Sequence, residues 1–128
     1  MEASALLDAH VQLKRSYTAL NEALDLTRQL AEAVDRDDQV TIRMLISMRQ
    51  EPTDKLAQAQ QALAQQRADL PEADRERLSA LLKGAPAEAP EETPLANQIG
   101  LNQRVLKQLV DLDRVVNRKL ARDKSIYK

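Results

Sequence analysis

PLANQIGLNQRVLKQLVDLDRVVNRKLAR, residues Pro94 to Arg122, is the stretch whose periodicity decides the fold. Val105, Leu109, Leu112, Val116 and Leu120 step by four, three, four and four residues, the period of one face of an α-helix. Leu101, Leu106, Val110 and Val115 lie off that line and widen the apolar surface beyond half the circumference. A helix that packs on one neighbour needs an apolar stripe of only about 100°. The excess has two readings. Either this is the central helix of a bundle, touching two helices of its own chain, or some of its surface is a groove or seam for a helix of another protein. Spacing alone admits both.

Working back from this helix, Pro86, Pro90 and Pro94 stand among Ala and Glu between Gly84 and Pro94. That composition predicts an extended, solvated and mobile linker over 84–93. Thr93 and Pro94 make a cap and first position for a helix over 94–123. Upstream, Pro71 followed by Glu72 and Asp74 marks a helix start, Leu78, Leu81 and Leu82 supply an apolar face, and Gly84 sits where a terminating glycine belongs. This gives a short helix over 71–83.

The remaining chain divides at an acidic hinge, Asp35, Asp37 and Asp38 around Arg36. Any of these acids can cap a helix over 38–68 that carries Val40, Ile42, Leu45, Ile46 and Met48, bends at Pro52, and continues through Leu56, Ala59 and Leu63. The hinge is not a calcium loop, because Val40, Ile42 and Leu45 occupy positions where ligands, a central Gly and a closing Glu are required. Met44 and Met48, four residues apart, suit either core filling or an adaptable binding surface. Before the hinge, Ser4 is a candidate N-cap for a helix over 4–34. Leu6, Leu13, Leu20 and Val34 recur every seven residues with Thr27 as the polar exception, and His10, Tyr17, Leu24 and Ala31 form the interleaved series. No β-hairpin signal is present. The expected fold is all-α: a single domain over 1–128, an elongated antiparallel helical bundle of three to four helices with coiled-coil-like packing.

Composition narrows function by what it lacks. The 128 residues hold no Cys, no Trp, no Phe, one His and two Gly, so thiol chemistry, phosphate loops and base-stacking platforms have little material. His10 has no nucleophile or metal-ligand partner at helical spacing, and the carboxylates lack the Glu-x-x-His pairs that build metal sites in bundles. The expectation is therefore no enzyme, no metal and no cofactor. No apolar run approaches the roughly 20 residues that cross a bilayer, and Met1 to Leu7 does not read as a signal peptide, so a cytoplasmic protein without membrane insertion is expected. The net charge of −1 conceals an acidic region over 69–94 and a basic one over 101–128 that includes Arg104, Lys107, Arg114, Arg118, Lys119 and Arg122. With a pI of about 5.9, a nucleic-acid accessory role is a lesser alternative. A helical module that holds another polypeptide is the main reading, with a self-assembling coiled-coil scaffold or adaptor as its rival.

The order of these elements resembles the FlgN family of flagellar type III export chaperones, with the FliT family a nearby alternative. The resemblance is carried by Tyr17, Leu20 and Leu24 in the first helix, Asp37, Asp38, Ile42, Leu45 and Arg49-Gln50-Glu51 before Leu56, then Arg75, Leu78, Leu81 and Leu82, and finally Asn97, Asn102, Leu106 and Leu109. It spans most of the chain. It implies a cytoplasmic chaperone that binds an amphipathic helix of a hook-associated protein, prevents premature assembly and delivers it to the export apparatus. The residues it implies for cargo are Leu101, Val105, Leu109, Leu112 and Val116, with Tyr127 helping to dock the loaded chaperone on the export gate. The free protein is expected to be a monomer or weak homodimer.

Overall fold

A 33-residue helix, α1 (Ala3–Asp35), about 50 Å long, is the spine against which everything else packs. After it come α2 (Gln39–Met48), α3 (Gln50–Ala68), α4 (Glu72–Leu82) and α5 (Thr93–Ile126), the last entered through a 3-10 turn at Pro90–Glu92. The computed structural model describes the backbone of residues 1–126 and the side chains through Arg122, and among the described residues there is no strand. The protein is an all-α bundle. Successive long helices run antiparallel: α2 and α3 return along α1, and α5 then runs beside α1 in the same direction. Asn102 donates from Nδ2 to the Leu13 carbonyl at 2.9 Å near one end, and Lys119 reaches Asp35 at 2.6 Å near the other.

The core is three clusters strung along α1. At one end Leu6, Ala9 and Leu13 meet Leu78, Leu81, Leu95 and Ile99. In the middle Leu20 and Leu24 meet Val105, with Leu56, Leu109 and Leu112 packed around them. At the far end Leu30, Ala33 and Val34 meet Ile42, Leu45 and Val116. Burial of each such leucine is worth roughly 1.5–3 kcal/mol. The heptad positions Leu6, Leu13, Leu20, Thr27 and Val34 are all buried, as is Leu24. So are Ala9, Gln12, Ser16, Ala19, Leu30 and Ala33, which makes α1 the helix with partners on two sides. The wide stripe of α5 therefore does not mark the centre of the bundle.

Helix boundaries follow local chemistry. The α1 start is Ala3 after Glu2, with no side-chain cap, rather than a Ser4 cap. Its end is a left-handed residue, Asp37 at φ 54°, with Asp37 N–H bonded to Val34 O and Asp38 N–H to Ala33 O. Asp38 then caps α2, accepting from Thr41 N–H at 3.2 Å and Thr41 Oγ1 at 2.6 Å. These hydrogen bonds hold its carboxyl below the ordinary carboxylate range. The bend expected at Pro52 falls at Arg49. Pro52 has no N–H to give the Met48 carbonyl, so α2 stops at Met48 and bonding resumes with Thr53 N–H to Arg49 O. Gly84 closes α4 as expected, at φ 106°, with its N–H on Leu81 O and that of Ala85 on Ala80 O. A Cβ there would sit 3.3 Å from Gln103 Nε2.

The segment after Gly84 is not an extended spacer. Arg77 of α4 donates through Nε and Nη2 to both carboxylate oxygens of Glu92, at 2.9 and 2.7 Å, and through Nη2 to the Pro86 carbonyl at 2.9 Å. Glu92 also accepts from the Glu88 N–H at 2.9 Å. One buried carboxylate thus folds the proline-rich stretch back onto α4 and starts α5, whose winding begins at Pro90 rather than Pro94. The Arg77 guanidinium, followed by the Glu88 N–H, holds the Glu92 carboxyl down to about 2, against an ordinary 4.5. Because the folded value lies below the unfolded one, this stabilisation is complete above about pH 4.5 and is lost as pH falls from there towards 2. Glu92→Gln is expected to lower stability at pH 7 by about 1–3 kcal/mol and to flatten the acid limb between those values, read by thermal melts followed by circular dichroism.

Candidate helix-binding groove

Both α3 and α5 fasten to α1, yet among the described residues no Cα of α2 or α3 comes within 8 Å of one in α5. The space between them is a groove floored by α1. One stretch, a cavity of about 220 Å³, has Leu13 and Leu20 on its floor, Leu56 and Leu63 on the α3 wall, Ile99 and Leu106 on the α5 wall, and Leu82 of α4 closing its end. A second stretch, about 420 Å³, continues over Ala23 and Thr27 between Ile46 and Thr53 on one side and Leu109 and Val110 on the other. Leu106 and Val110 are 46 % and 39 % exposed and Ile46 on the facing wall 45 %, whereas Leu56 and Leu63 are half-buried. Large apolar side chains left open on both sides of a concave surface are the form in which helix-receiving grooves occur.

The polar lining is uncharged over most of its length: Ser16, Gln60, Asn102 and Gln103 in the first stretch, Gln50 and Thr53 in the second. The exception is one ion pair. Arg49 Nη1 donates to Asp113 Oδ1 at 2.8 Å and to Thr27 Oγ1 at 3.2 Å. Thr27 is fully buried and its hydroxyl donates to the Ala23 carbonyl at 2.7 Å, so the floor helix holds the guanidinium in place. Among the described residues this is the only polar link across the groove. A depression on the other flank of α3 differs in kind. It has Arg15, Lys55, Gln58 and Thr18 around alanines and offers no large apolar side chain.

The residues expected from the sequence to take cargo are distributed by this geometry. Val105 and Val116 are buried against α1, and Leu109 and Leu112 are half-buried beside Leu20 and Leu24. The four-three-four-four line is the seam by which α5 joins the bundle, so most of its surface is already covered. Leu109 alone of the five lines the groove. Leu101 is exposed on the opposite flank of α5, as is Val115. Tyr127 lies outside the described residues. The widening residues Leu106 and Val110 form one open wall, facing the exposed Ile46 of α2 and the half-buried Leu56 and Leu63 of α3.

Sequence reasoning does not find Thr27, Arg49 and Asp113 as a unit. Thr27 carries a signal as the polar break in a heptad series, but its partners lie far away along the chain. On α2, Val40, Met44 and Met48 form a second exposed apolar line at i, i+4 and i+8. The basic residues of α5 are partly engaged: Lys107 with Asp111, Lys119 with Asp35. Among the described residues no group of three His, Cys, Asp or Glu side chains is placed to hold a metal, and no helix is long and apolar enough to cross a membrane. Comparison with known family models, curated proteins and solved structures finds no match.

Leu106→Asp and Val110→Asp are expected to change the free energy of unfolding by less than about 1 kcal/mol, whereas Val116→Asp should cost more than about 3 kcal/mol. Urea unfolding of the three variants checks this division between open wall and core.

Proposed function

We propose that the protein is a cytoplasmic, non-enzymatic export chaperone that covers an amphipathic helix of a flagellar hook-associated protein and brings it to the type III export apparatus. The observation that carries the helix-binding role is the open groove between α3 and α5, with Leu56, Leu63, Leu106 and Val110 on its walls. The flagellar assignment is supported by the resemblance of the spaced residues to the FlgN family. The physical logic joins the two. A cargo held ready for export exposes an apolar helix face that would otherwise self-associate. Seating that face in the groove removes apolar surface from water at about 25 cal/mol per Å², less the ordering cost of binding. No metal or cofactor enters this role.

A second reading, a self-assembling scaffold, is favoured by one observation, the exposed Val40, Met44 and Met48 line on α2. It predicts a dimer or larger species of the protein alone that Met44→Asp disperses. The chaperone reading predicts a monomer or weak homodimer that Met44→Asp leaves unchanged under the same conditions in analytical ultracentrifugation.

The direct test is calorimetric titration with purified hook-associated proteins of the same cell. Leu106→Asp and Val110→Asp should each weaken binding at least tenfold, and Leu101→Asp and Val115→Asp should change it less than threefold. Absence of binding to any hook-associated protein, or equal losses at all four positions, would overturn the proposal.

A further inference from the structure

The groove has a length, and α1 and α5 give the same one. From Leu13 to Thr27 on α1 and from Ile99 to Asp113 on α5 the lining runs through about fourteen residues, while the facing wall runs from Leu63 of α3 back through Arg49 to Ile46 of α2, about one turn further. At 1.5 Å per residue the shared stretch is about 21 Å, or four helical turns. Each end carries a distinct feature, and only Ile46 of the lining lies beyond the second. Leu82 and the packing of α4 between α3 and α5 block one, and the Arg49 to Asp113 ion pair, anchored on Thr27, crosses near the other. Beyond that pair α5 turns its surface back to α1 through Val116 and Lys119.

We infer that the groove is a four-turn slot that takes a helix of another protein with an apolar face of about fourteen residues flanked by uncharged polar side chains, and that the Arg49 to Asp113 pair is its end stop. This rests on the reading of the groove as a helix-binding surface. The rim argues for the flanking chemistry: Gln50, Thr53, Gln60 and Gln103 have no charge to offer, and the one guanidinium and one carboxylate present are already satisfied by each other. A Lys or Glu beside the occupant's apolar stripe would lose hydration there without gaining a partner. The ion pair acts as a stop because an apolar face pushed past it must desolvate or separate two joined charges. Its role is therefore to fix the register of the occupant.

The test uses synthetic helices of constant length, about 25 residues, in which the apolar Leu/Ala face covers 11, 14, 18 or 21 residues and the rest is Gln and Ala, with fluorescence anisotropy as the readout. With the wild-type protein, affinity is expected to rise roughly tenfold from 11 to 14 and less than twofold from 14 to 21. With Arg49→Met or Asp113→Asn, each first shown to keep wild-type helicity, it should continue to rise by threefold or more from 14 to 21. Replacing the flanking Gln by Lys or by Glu should weaken the 14-residue helix at least threefold in either case. A continuous rise in the wild type, or no preference for neutral flanks, overturns the slot while leaving helix binding intact. Failure of every peptide to bind removes both. Dimerisation of the free protein that Val110→Asp abolishes would assign the groove to a second copy and also overturn the inference.

Discussion

Everything in this bundle depends on α1 being buried from two directions at once. Leu20, Leu24 and Leu30 give it large apolar surface towards α5 and α2, while Ala9, Ser16 and Ala19 let neighbouring backbones come close. Since α3 and α5 each obtain their stabilisation from α1, neither has to touch the other. The groove is what that arrangement leaves over. A three-helix bundle with mutual contacts among all its members would have enclosed Leu56, Leu63 and Leu106, and no open apolar channel would remain.

Two charged contacts hold this open geometry. The Arg77 and Glu92 pair fixes where α5 begins, and so which residues of α5 face α1 rather than the groove: a rotation of the helix start by one residue would turn every later side chain by about 100°. The Arg49 and Asp113 pair bridges the two walls near the other end. A partly exposed ion pair of this kind contributes modestly to stability.

Much of the fold is legible in the sequence because its signals are local. Pro71, Leu78, Leu81 and Gly84 delimit α4, the acidic hinge announces a cap for α2 without saying which of its acids supplies it, and the seven-residue series from Leu6 to Val34 marks the inward face of α1. What escapes is non-local or chemically quiet. Dense Leu and Val draw the eye to α5 as the centre of the bundle, because Ala9, Ser16, Ala19 and Ala33 give α1 no hydrophobic weight although they are deeply buried. The proline-rich stretch reads as a spacer until Arg77, on another helix, is seen to hold it. On α5 the periodic line identifies the side chains that build the fold. The open wall, Leu106 and Val110, consists of residues that break the period, and only the position of α3 shows which off-line residues face the groove and which, like Leu101 and Val115, do not.

Whether a partner helix lies between α3 and α5 is read directly by methyl spectra of the Leu- and Val-labelled protein, with and without a saturating amphipathic helix from a hook-associated protein. A helix seated in the groove shifts the methyls of Leu56, Leu63, Leu106 and Val110 and leaves those of Leu7, Val40, Leu101 and Val115 unchanged. Shifts centred on Val40 or Leu7, or none in the groove under conditions where binding is demonstrated, would contradict that placement.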